Sequence, residues 1–359
     1  MASFLDHRKL KGRGALSNPA GRFDALRLER ADDGWYQDEV PDSVGETVLP
    51  DSARSVITSN DSPDVGFDVS INPYRGCSHA CVYCFARPSH AYLGLSPGLD
   101  FETKLFYKAD AVSLLEAELS KPRYVCKPVA LGINTDGYQP LEKRLGITRS
   151  ILGVLARCRH PVTIVTKSAL IVRDLDLLAD LAKDRLVCVS LSITSLSNDI
   201  KRTLEPRTAS PQARLRIIEQ LARAGIPVGV LVAPVIPAIT DHEMEHILSA
   251  ARAAGATRAS YVLLRLPHEV KILFREWLAA HYPDRAKHVM SLINQSRGGK
   301  DYDSTFGVRM RGTGPYAELL RSRFELAARK LEFDSGNRHA LNTELFRPPA
   351  AAAQLSLGF

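Results

Sequence analysis

Three cysteines lie close together in the sequence and could bind one metal centre. Cys77, Cys81 and Cys84 have the spacing C-x3-C-x2-C within the segment SINPYRGCSHACVYCFAR, residues 70–87. Cysteine thiolates in short runs of this kind hold iron–sulfur clusters, and no fourth cysteine is near. Three ligands would leave one iron of a four-iron cluster open, much as a catalytic zinc keeps a free position. The spacing therefore predicts a metal centre that binds a further molecule.

Zinc is the alternative metal, because three cysteines and a histidine can bind it and His79 and His90 are close in sequence. A disulfide framework is not expected, since six cysteines in 359 residues are too few to staple the fold. The N-terminus lacks the apolar segment of a secretory signal, and no stretch approaches 18 uninterrupted apolar residues. We therefore expect a cytoplasmic protein with reduced thiols and no membrane partner.

The charge distribution is uneven along the chain, although the overall composition is ordinary for a globular protein. The net charge is +7, and residues 1–70 hold 8 Lys and Arg against 13 Asp and Glu. Residues 271–330 hold 12 Lys and Arg against 6 Asp and Glu. A basic surface in this C-terminal part would attract polyanions such as nucleic acid. A solvated helical face with spare positive charge is the alternative.

The elements that must position the cysteines alternate between strands and helices. Short apolar runs predict six strands, at residues 67–71, 129–133, 162–166, 186–193, 228–232 and 259–264. Amphipathic segments predict helices near residues 111–121, 148–158, 175–182, 211–224 and 241–254. Repeated strand–helix units indicate a parallel, right-handed α/β array. Periodicity alone does not separate an open doubly wound sheet from a partial barrel.

The cysteine spacing, with Tyr83 just before the third cysteine, resembles the radical S-adenosylmethionine (SAM) superfamily. The segments NTDGYQPLE, residues 134–142, and TKS, residues 166–168, resemble the branch of spore photoproduct lyases and DNA-repair-photolyase-like proteins. This resemblance implies a partial (βα)6 TIM-like barrel over residues 67–265. It also implies that SAM chelates the open iron of a [4Fe-4S] cluster. The reduced cluster would cleave SAM to methionine and a 5′-deoxyadenosyl radical, with electrons from a donor such as flavodoxin or ferredoxin.

Residues at the carboxyl ends of the predicted strands are candidates for SAM binding, because active sites of such folds lie there. The resemblance places Thr135 and Asp136 near the SAM ammonium, and Lys167 suits its carboxylate. Buried hydroxyls need a polar partner, so Ser190 and Ser192 could contact SAM. The candidates that complete this set are Tyr83, Ala233, beside which adenine could lie flat, and Arg207 of the Glu-Pro-Arg segment. Capping roles, surface positions and simple ion pairs are the alternatives.

One departure from the branch leaves the substrate open. Spore photoproduct lyases carry a cysteine just ahead of the strand-two Ser/Thr-Asp, whereas this chain reads Gly132-Ile133-Asn134. We predict damaged or modified DNA as the substrate, with RNA or protein as the alternative. Gly-, Arg- and Tyr-containing loops at residues 296–302 and 309–315 suit phosphates and stacked bases. A nucleic-acid-binding module with zinc or a cluster, and without chemistry, is the third hypothesis.

Four regions are predicted along the chain: an irregular N-terminal extension, residues 1–66; the barrel, residues 67–265; a basic helical region, residues 266–345; and a flexible tail, residues 346–359. The tail ends in Gln354-Leu-Ser-Leu-Gly-Phe359 after a Pro- and Ala-rich spacer. This hexapeptide resembles the Q-L-x-L-x-F motif with which bacterial repair and replication proteins bind the DNA sliding clamp. Two leucines and a terminal phenylalanine would otherwise have to cover the body of the protein.

Overall fold

The computed structural model describes residues 10–24, 44–334 and 340–349. The strands are β1 Thr47–Pro50, β2 Ile57–Ser59, β3 Val69–Ile71, β4 Tyr74–Arg75, β5 Lys104–Tyr107, β6 Val129–Leu131, β7 Val162–Thr166, β8 Val187–Ser192, β9 Val228–Val235 and β10 Arg258–Leu263. The α-helices are α1 Leu99–Thr103, α2 Ala111–Leu119, α3 Glu142–Leu145, α4 Ile147–Arg157, α5 Leu175–Lys183, α6 Asn198–Leu204, α7 Pro211–Arg223, α8 Met244–Ala253, α9 Val270–His281, α10 Ala286–Gln295 and α11 Gly314–Lys330. Short 3-10 helices cover Arg87–Leu93, Ala169–Asp174 and Asp241–Glu243.

The main sheet has seven strands in the order β10-β9-β8-β7-β6-β3-β2. The six strands from β3 to β10 are parallel to their neighbours, as the pairing of Ile164 in β7 with Val189 in β8 illustrates. Helices connect successive strands, so the predicted α/β fold with six parallel strands, a partial (βα)6 barrel, is confirmed. Their carboxyl ends therefore meet at one edge of the sheet, where a site can be built.

The N-terminal segment contributes to both sheets, which corrects the prediction of an irregular extension. Strand β2 pairs with β3 in the antiparallel direction and forms one edge of the main sheet. Strand β1 pairs with β5 in a separate three-stranded sheet, whose third strand is β4. These strands have only two to four residues, so their apolar pattern is too short to recognise in the sequence.

Helix α7 shows why the sequence places its helices well. Ser210 accepts a hydrogen bond from the Ala213 amide at 3.2 Å, Pro211 occupies the first turn, and Gly225 after the helix has φ +73°. These residues satisfy or tolerate the unpaired groups of a helix end. The inward side chains Ile217, Ile218 and Leu221 pack into the core of the barrel.

The predicted basic helical region packs against the barrel through two of its helices. Trp277 in α9 is fully buried, and its indole Nε1 donates to the carbonyl of Thr203 at 3.0 Å. Arg323 in α11 pairs with Glu245 at the start of α8, at 2.7 Å. Residues 296–313 then return to the sheet, where the Leu263 amide donates to the Met310 carbonyl at 2.9 Å. This segment therefore lies beside the carboxyl end of β10.

The start of the predicted tail is docked on the body. Phe346 lies 5.3 Å from the ring of Tyr124 and 5.4 Å from that of His160, and the Arg347 amide donates to the Cys158 carbonyl at 2.8 Å. The prediction of a flexible tail from residue 346 is therefore wrong for these two residues. The hexapeptide from Gln354 to Phe359 lies outside the described residues.

Candidate functional site

A cavity of about 490 Å3 opens at the carboxyl ends of the parallel strands. It lies in the size range of small-molecule and cofactor sites. The predicted site residues that line it are Cys77, Cys81, Tyr83, Cys84, Thr135, Asp136, Lys167, Ser192 and Ala233. Ser190 and Arg207 do not line it, so the structure does not support their predicted contacts with a ligand there. The lining also includes Phe85, Arg265, Arg309 and Met310.

The cysteine loop follows β4 and turns its three side chains toward this cavity. Gly76 enters the loop with φ +76°, and a Cβ atom there would lie 2.9 Å from the Phe101 carbonyl oxygen. The Cys77 amide donates to that same carbonyl at 2.9 Å, and the Cys84 amide donates to the Cys81 carbonyl at 3.2 Å. None of the three cysteines forms a disulfide. Backbone hydrogen bonds thus hold three free thiols on one wall.

A buried ion pair supports the back of this loop. The guanidinium of Arg87 pairs with Glu102, and both side chains are fully buried. Arg87 Nε also donates to the Cys81 carbonyl at 2.9 Å, while Glu102 accepts from the Ala15 amide at 2.8 Å. Burial raises the pKa of Glu102 above its usual range, although Arg87 opposes this shift. The pair therefore fastens the N-terminal segment onto the cysteine loop, a contact that sequence reasoning missed.

Asp136 is held by protein groups rather than left open for a ligand. Its carboxylate accepts from the Thr166 hydroxyl at 2.8 Å and from the Lys167 amide at 2.9 Å, and it lies 3.3 Å from His79 Nδ1. Burial alone would raise the pKa of Asp136, but His79 and the hydrogen bonds outweigh it and lower the pKa to about 2. The capping role considered for Asp136 is thus present, and its contact with SAM stays a prediction.

His79 carries positive charge beside the first cysteine. Burial alone would lower its pKa, but Asp136 and Cys77 outweigh this effect and raise the pKa to about 9. His79 therefore connects the Asp136 carboxylate to the cysteine loop at Cys77.

A second buried carboxylate organises the opposite side of the cysteine wall. Glu205 accepts a hydrogen bond from the Tyr83 hydroxyl and pairs with Arg214 at 2.5 Å. Burial would raise the pKa of Glu205, but Arg214 and Lys167 outweigh it and lower the pKa to about 2. The Lys167 ammonium lies 5.9 Å from the centre of the Tyr83 ring. An anionic Glu205 therefore helps to keep Lys167 and Tyr83 together at the cavity.

The Glu-Pro-Arg segment was singled out for its arginine, whereas the structure uses its glutamate. Arg207 pairs with Glu46 of the N-terminal segment instead of facing the cavity. The signal that could have identified Glu205 is its place directly after α6, close to the end of β8. A carboxylate at that position lies near the other strand ends, but its burial depends on Arg214, which follows in α7.

The hydroxyls at the carboxyl end of β8 find hydrogen-bond partners inside the protein. Ser192 Oγ donates to the Ala233 carbonyl at 3.0 Å, and Thr194 Oγ1 donates to the same oxygen at 2.8 Å. Both hydroxyls therefore have a protein acceptor, and neither requires a ligand as its hydrogen-bond partner. Thr135 Oγ1 similarly donates to the Gly76 carbonyl at 3.2 Å, and this hydrogen bond connects the loop after β6 to the cysteine loop.

The donor set fits an iron–sulfur cluster better than it fits the zinc alternative. His90 uses Nε2 on the Lys104 carbonyl at 2.9 Å, and His79 uses Nδ1 on Asp136. Across residues 10–24, 44–334 and 340–349, no three His, Cys, Asp or Glu side chains are grouped to hold one metal ion. The ligands of a four-iron cluster bind separate irons and lie farther apart than ligands of one ion. Three free thiols beside an open cavity meet that requirement.

Comparisons with known proteins agree with this geometry. The family model described as "Radical SAM superfamily" matches residues 71–251. An uncharacterized protein of Mycobacterium tuberculosis is 41% identical over 231 residues, which are 64% of this chain and 68% of that protein. An uncharacterized protein of Methanocaldococcus jannaschii is 26% identical over 215 residues, 60% of this chain and 76% of that protein.

Among solved structures, spore photoproduct lyase complexed with dinucleoside spore photoproduct matches with a TM-score of 0.56. The sequence identity is 16%, and the match covers 79% of each chain. This likeness shows a shared fold. No helix in the described part of the chain is long and apolar enough to cross a membrane.

Proposed function

This chain belongs to the radical SAM superfamily, and we propose that it acts on nucleic acid, with damaged or modified DNA as the substrate. Its cofactors are those of the family, a [4Fe-4S] cluster and SAM, and it is an enzyme. When bound and reduced, these cofactors supply a 5′-deoxyadenosyl radical that abstracts a hydrogen atom from the substrate. The observation that carries the assignment of the reaction site is the cavity that the three free thiols share with Lys167.

The chain's own residues hold and orient the cofactors. Cys77, Cys81 and Cys84 would hold the cluster, and Arg87 would keep the loop in place from behind through the Cys81 carbonyl. Lys167 would bind the SAM carboxylate, because it lines the same cavity as the three cysteines. A charge-assisted hydrogen bond of this kind contributes about 1–3 kcal/mol.

Several features support a nucleic-acid substrate. The fold is shared with spore photoproduct lyase, which has been solved with a dinucleoside photoproduct. Residues 271–330 carry twice as many basic as acidic side chains, and this region returns to the cavity at Met310. A target base would have to leave the stack to enter a cavity of this kind. Since residues 132–134 contain no cysteine, we propose a product different from that of spore photoproduct lyase.

The proposal is tested with anaerobically purified, iron-loaded protein that is reduced in the presence of SAM. Release of 5′-deoxyadenosine is measured by chromatography, alone and with an ultraviolet-irradiated DNA oligonucleotide or an RNA of the same sequence. We expect 5′-deoxyadenosine to form and irradiated DNA to stimulate it most. Greater stimulation by RNA would overturn the DNA assignment. A protein that binds nucleic acid and releases no 5′-deoxyadenosine would support the non-enzymatic alternative.

The C-terminal hexapeptide supports a partner in DNA metabolism. We propose that Gln354–Phe359 binds the DNA sliding clamp as an extended peptide with its apolar side chains in pockets. A peptide of residues 348–359 should bind a bacterial clamp in a fluorescence-anisotropy titration, and replacing Leu357 and Phe359 with alanine should remove binding. The same two changes in the whole protein should leave cluster loading unchanged. A flavodoxin or ferredoxin is the proposed electron donor, and the cytoplasm is the proposed compartment.

A further inference from the structure

The lining of the cavity also includes an arginine that forms no ion pair in the described part of the chain. Arg265 follows β10 directly and lines the cavity beside Phe85, the residue after the third cysteine. Its guanidinium carbon lies 4.9 Å from the centre of the Phe85 ring, which is 39% exposed. Stacking on an aromatic face holds a guanidinium in place without neutralising it. Arg265 is therefore oriented at the mouth of the cavity with its charge intact.

The hydrogen bonds of Arg265 leave capacity for a further acceptor. Nη2 lies 3.3 Å from the Tyr302 hydroxyl, and Nη1 lies 3.6 Å from the sulfur of Met310, which is a weak acceptor. Its Nε is buried and has no hydrogen-bond partner. In the described part of the chain, no carboxylate forms an ion pair with this side chain. Arg265 is half-buried, and its buried Nε atom lacks an acceptor, which is unfavourable unless a ligand supplies one.

A second arginine increases the positive charge behind this wall. Arg297 is 1% exposed and donates only to backbone carbonyls, those of Val308 at 2.8 Å, Leu264 at 3.0 Å and Leu263 at 3.4 Å. Burial lowers its pKa to about 10, and the neighbouring charge of Arg265 adds to this shift. The acidic residue that acts on it from a distance is Asp303, which is half-buried and accepts a hydrogen bond from the Thr305 amide. The guanidinium groups of Arg265 and Arg297 are thus neighbouring positive charges, and neither forms an ion pair in the described part of the chain.

A third arginine on the cavity provides the contrast. Arg309 also lines the cavity, but it pairs with Asp64 through two contacts of 2.6 and 2.9 Å. Its guanidinium carbon lies 4.8 Å from the ring of Phe306, which is 53% exposed. Both cavity arginines therefore stack on an aromatic ring, but Arg309 has an acidic partner and Arg265 has none in the described part of the chain.

We propose that Arg265 is the anchor of a phosphate-binding subsite, at which the substrate strand places a backbone phosphate while a neighbouring base stacks on Phe85. The inference rests on the proposed nucleic-acid substrate and names the residues that hold it. An exposed aromatic ring next to a free guanidinium suits a base followed by its phosphate. Arg297 strengthens the subsite from behind by its charge and does not touch the strand.

The experiment measures binding of a fluorescent 12-nucleotide oligothymidylate to the cluster-loaded protein, over a range of salt concentrations. Arg265→Gln should weaken binding about tenfold and lower the slope of log Kd against log salt by about 0.7, the value for one phosphate of a single strand. Arg265→Lys should keep the slope of the parent and lose part of the affinity, because lysine keeps the charge and not the planar stack.

Arg321→Gln is the matched control, since Arg321 is an exposed arginine of α11 away from the cavity lining. Iron content and SAM affinity, measured on each variant, show that the protein is intact. Equal losses for Arg265→Gln and Arg321→Gln would overturn the subsite and leave the nucleic-acid substrate standing. No oligonucleotide binding by a parent protein that still releases 5′-deoxyadenosine would overturn the subsite and the nucleic-acid substrate, but not the radical SAM assignment.

Discussion

The wall of the cavity that carries the three cysteines and the wall that contains Arg265 differ in how their charged side chains are paired. On the cysteine wall, the buried charged groups are matched in pairs, which are Arg87 with Glu102, Arg214 with Glu205, and His79 with Asp136. Arg265, on the other wall, forms no ion pair in the described part of the chain, and neither does Arg297, which does not line the cavity. Both walls are built at the same strand ends, so the difference lies in the residues and not in the fold.

This difference separates holding a fixed cofactor from receiving a variable ligand. Paired and hydrogen-bonded charges hold a loop rigidly, and the three cysteines must stay in place through each reaction cycle. An unpaired guanidinium makes the protein less stable by itself and contributes binding energy when an anion arrives. The cysteine wall is therefore preorganised, whereas the Arg265 wall is completed by its ligand.

The largest expected effect tests which cysteines belong to the cysteine wall. Cys77→Ala, Cys81→Ala and Cys84→Ala should each abolish cluster binding, because a four-iron cluster held by two thiolates loses a protein ligand. Iron and sulfide analysis after anaerobic reconstitution measures this loss. Cys126→Ala, Cys158→Ala and Cys188→Ala are the controls and should retain full iron content. Normal iron content in Cys81→Ala would contradict the assignment.

The next effect compares the two walls directly through unfolding in urea. Arg87→Met leaves Glu102 buried without a partner, so the free energy of unfolding should fall by about 3–5 kcal/mol. Arg265→Met removes a charge that has no partner, and its free energy of unfolding should stay within about 1 kcal/mol of the parent. Equal destabilisation by the two changes would show that the walls do not differ in the way described.

His160 is a buried titratable group that is uncharged in the folded protein, and this predicts a pH dependence of the stability. His160 is 1% exposed, its Nδ1 lies 3.0 Å from the Pro161 carbonyl, and its Nε2 lies 2.7 Å from the Tyr124 hydroxyl. Neutral imidazole, with the proton on Nδ1, satisfies both contacts. Burial lowers the pKa of His160 from 6.5 to about 4 in the folded protein.

The unfolded chain therefore binds more protons than the folded protein between about pH 6.5 and 4. The stability contribution is complete above pH 6.5 and should be lost as the pH falls through this range, by about 3 kcal/mol in total. Urea unfolding at half-unit steps of pH measures it, and His160→Phe should remove this part of the slope. An unchanged slope in that variant would assign the pH dependence to other groups.

The smallest expected effect concerns SAM. Lys167→Ala should weaken SAM binding by about 1–3 kcal/mol in an anaerobic titration, with the cluster intact, because one charge-assisted contact is lost. Lys201→Ala is a matched control, since Lys201 also lies near Glu205 but bonds to the Pro206 carbonyl at 2.8 Å and does not line the cavity. Equal affinities for the parent and Lys167→Ala would place the carboxylate partner elsewhere.

The sequence by itself determined the features that depend on neighbouring residues. The α/β alternation was predicted correctly, because each strand or helix is encoded by the periodicity of a short stretch of chain. The strand ends also identified Lys167 and Thr135 as cavity residues. The strands β1 and β2 were not predicted, since four and three residues are too few to show a recognisable apolar pattern.

Only the tertiary structure decided which side chains meet and which charges stay unpaired. The Ala15 amide and Glu102 are 87 residues apart in sequence, and Arg207, predicted at the site, turned instead toward Glu46. The sequence pointed to the loop that contains Arg309 and not to Arg265, although Arg309 pairs with Asp64 and Arg265 forms no ion pair in the described part of the chain. The physical reason is that periodicity reflects local backbone geometry and burial, whereas ion pairing depends on how distant segments pack against one another.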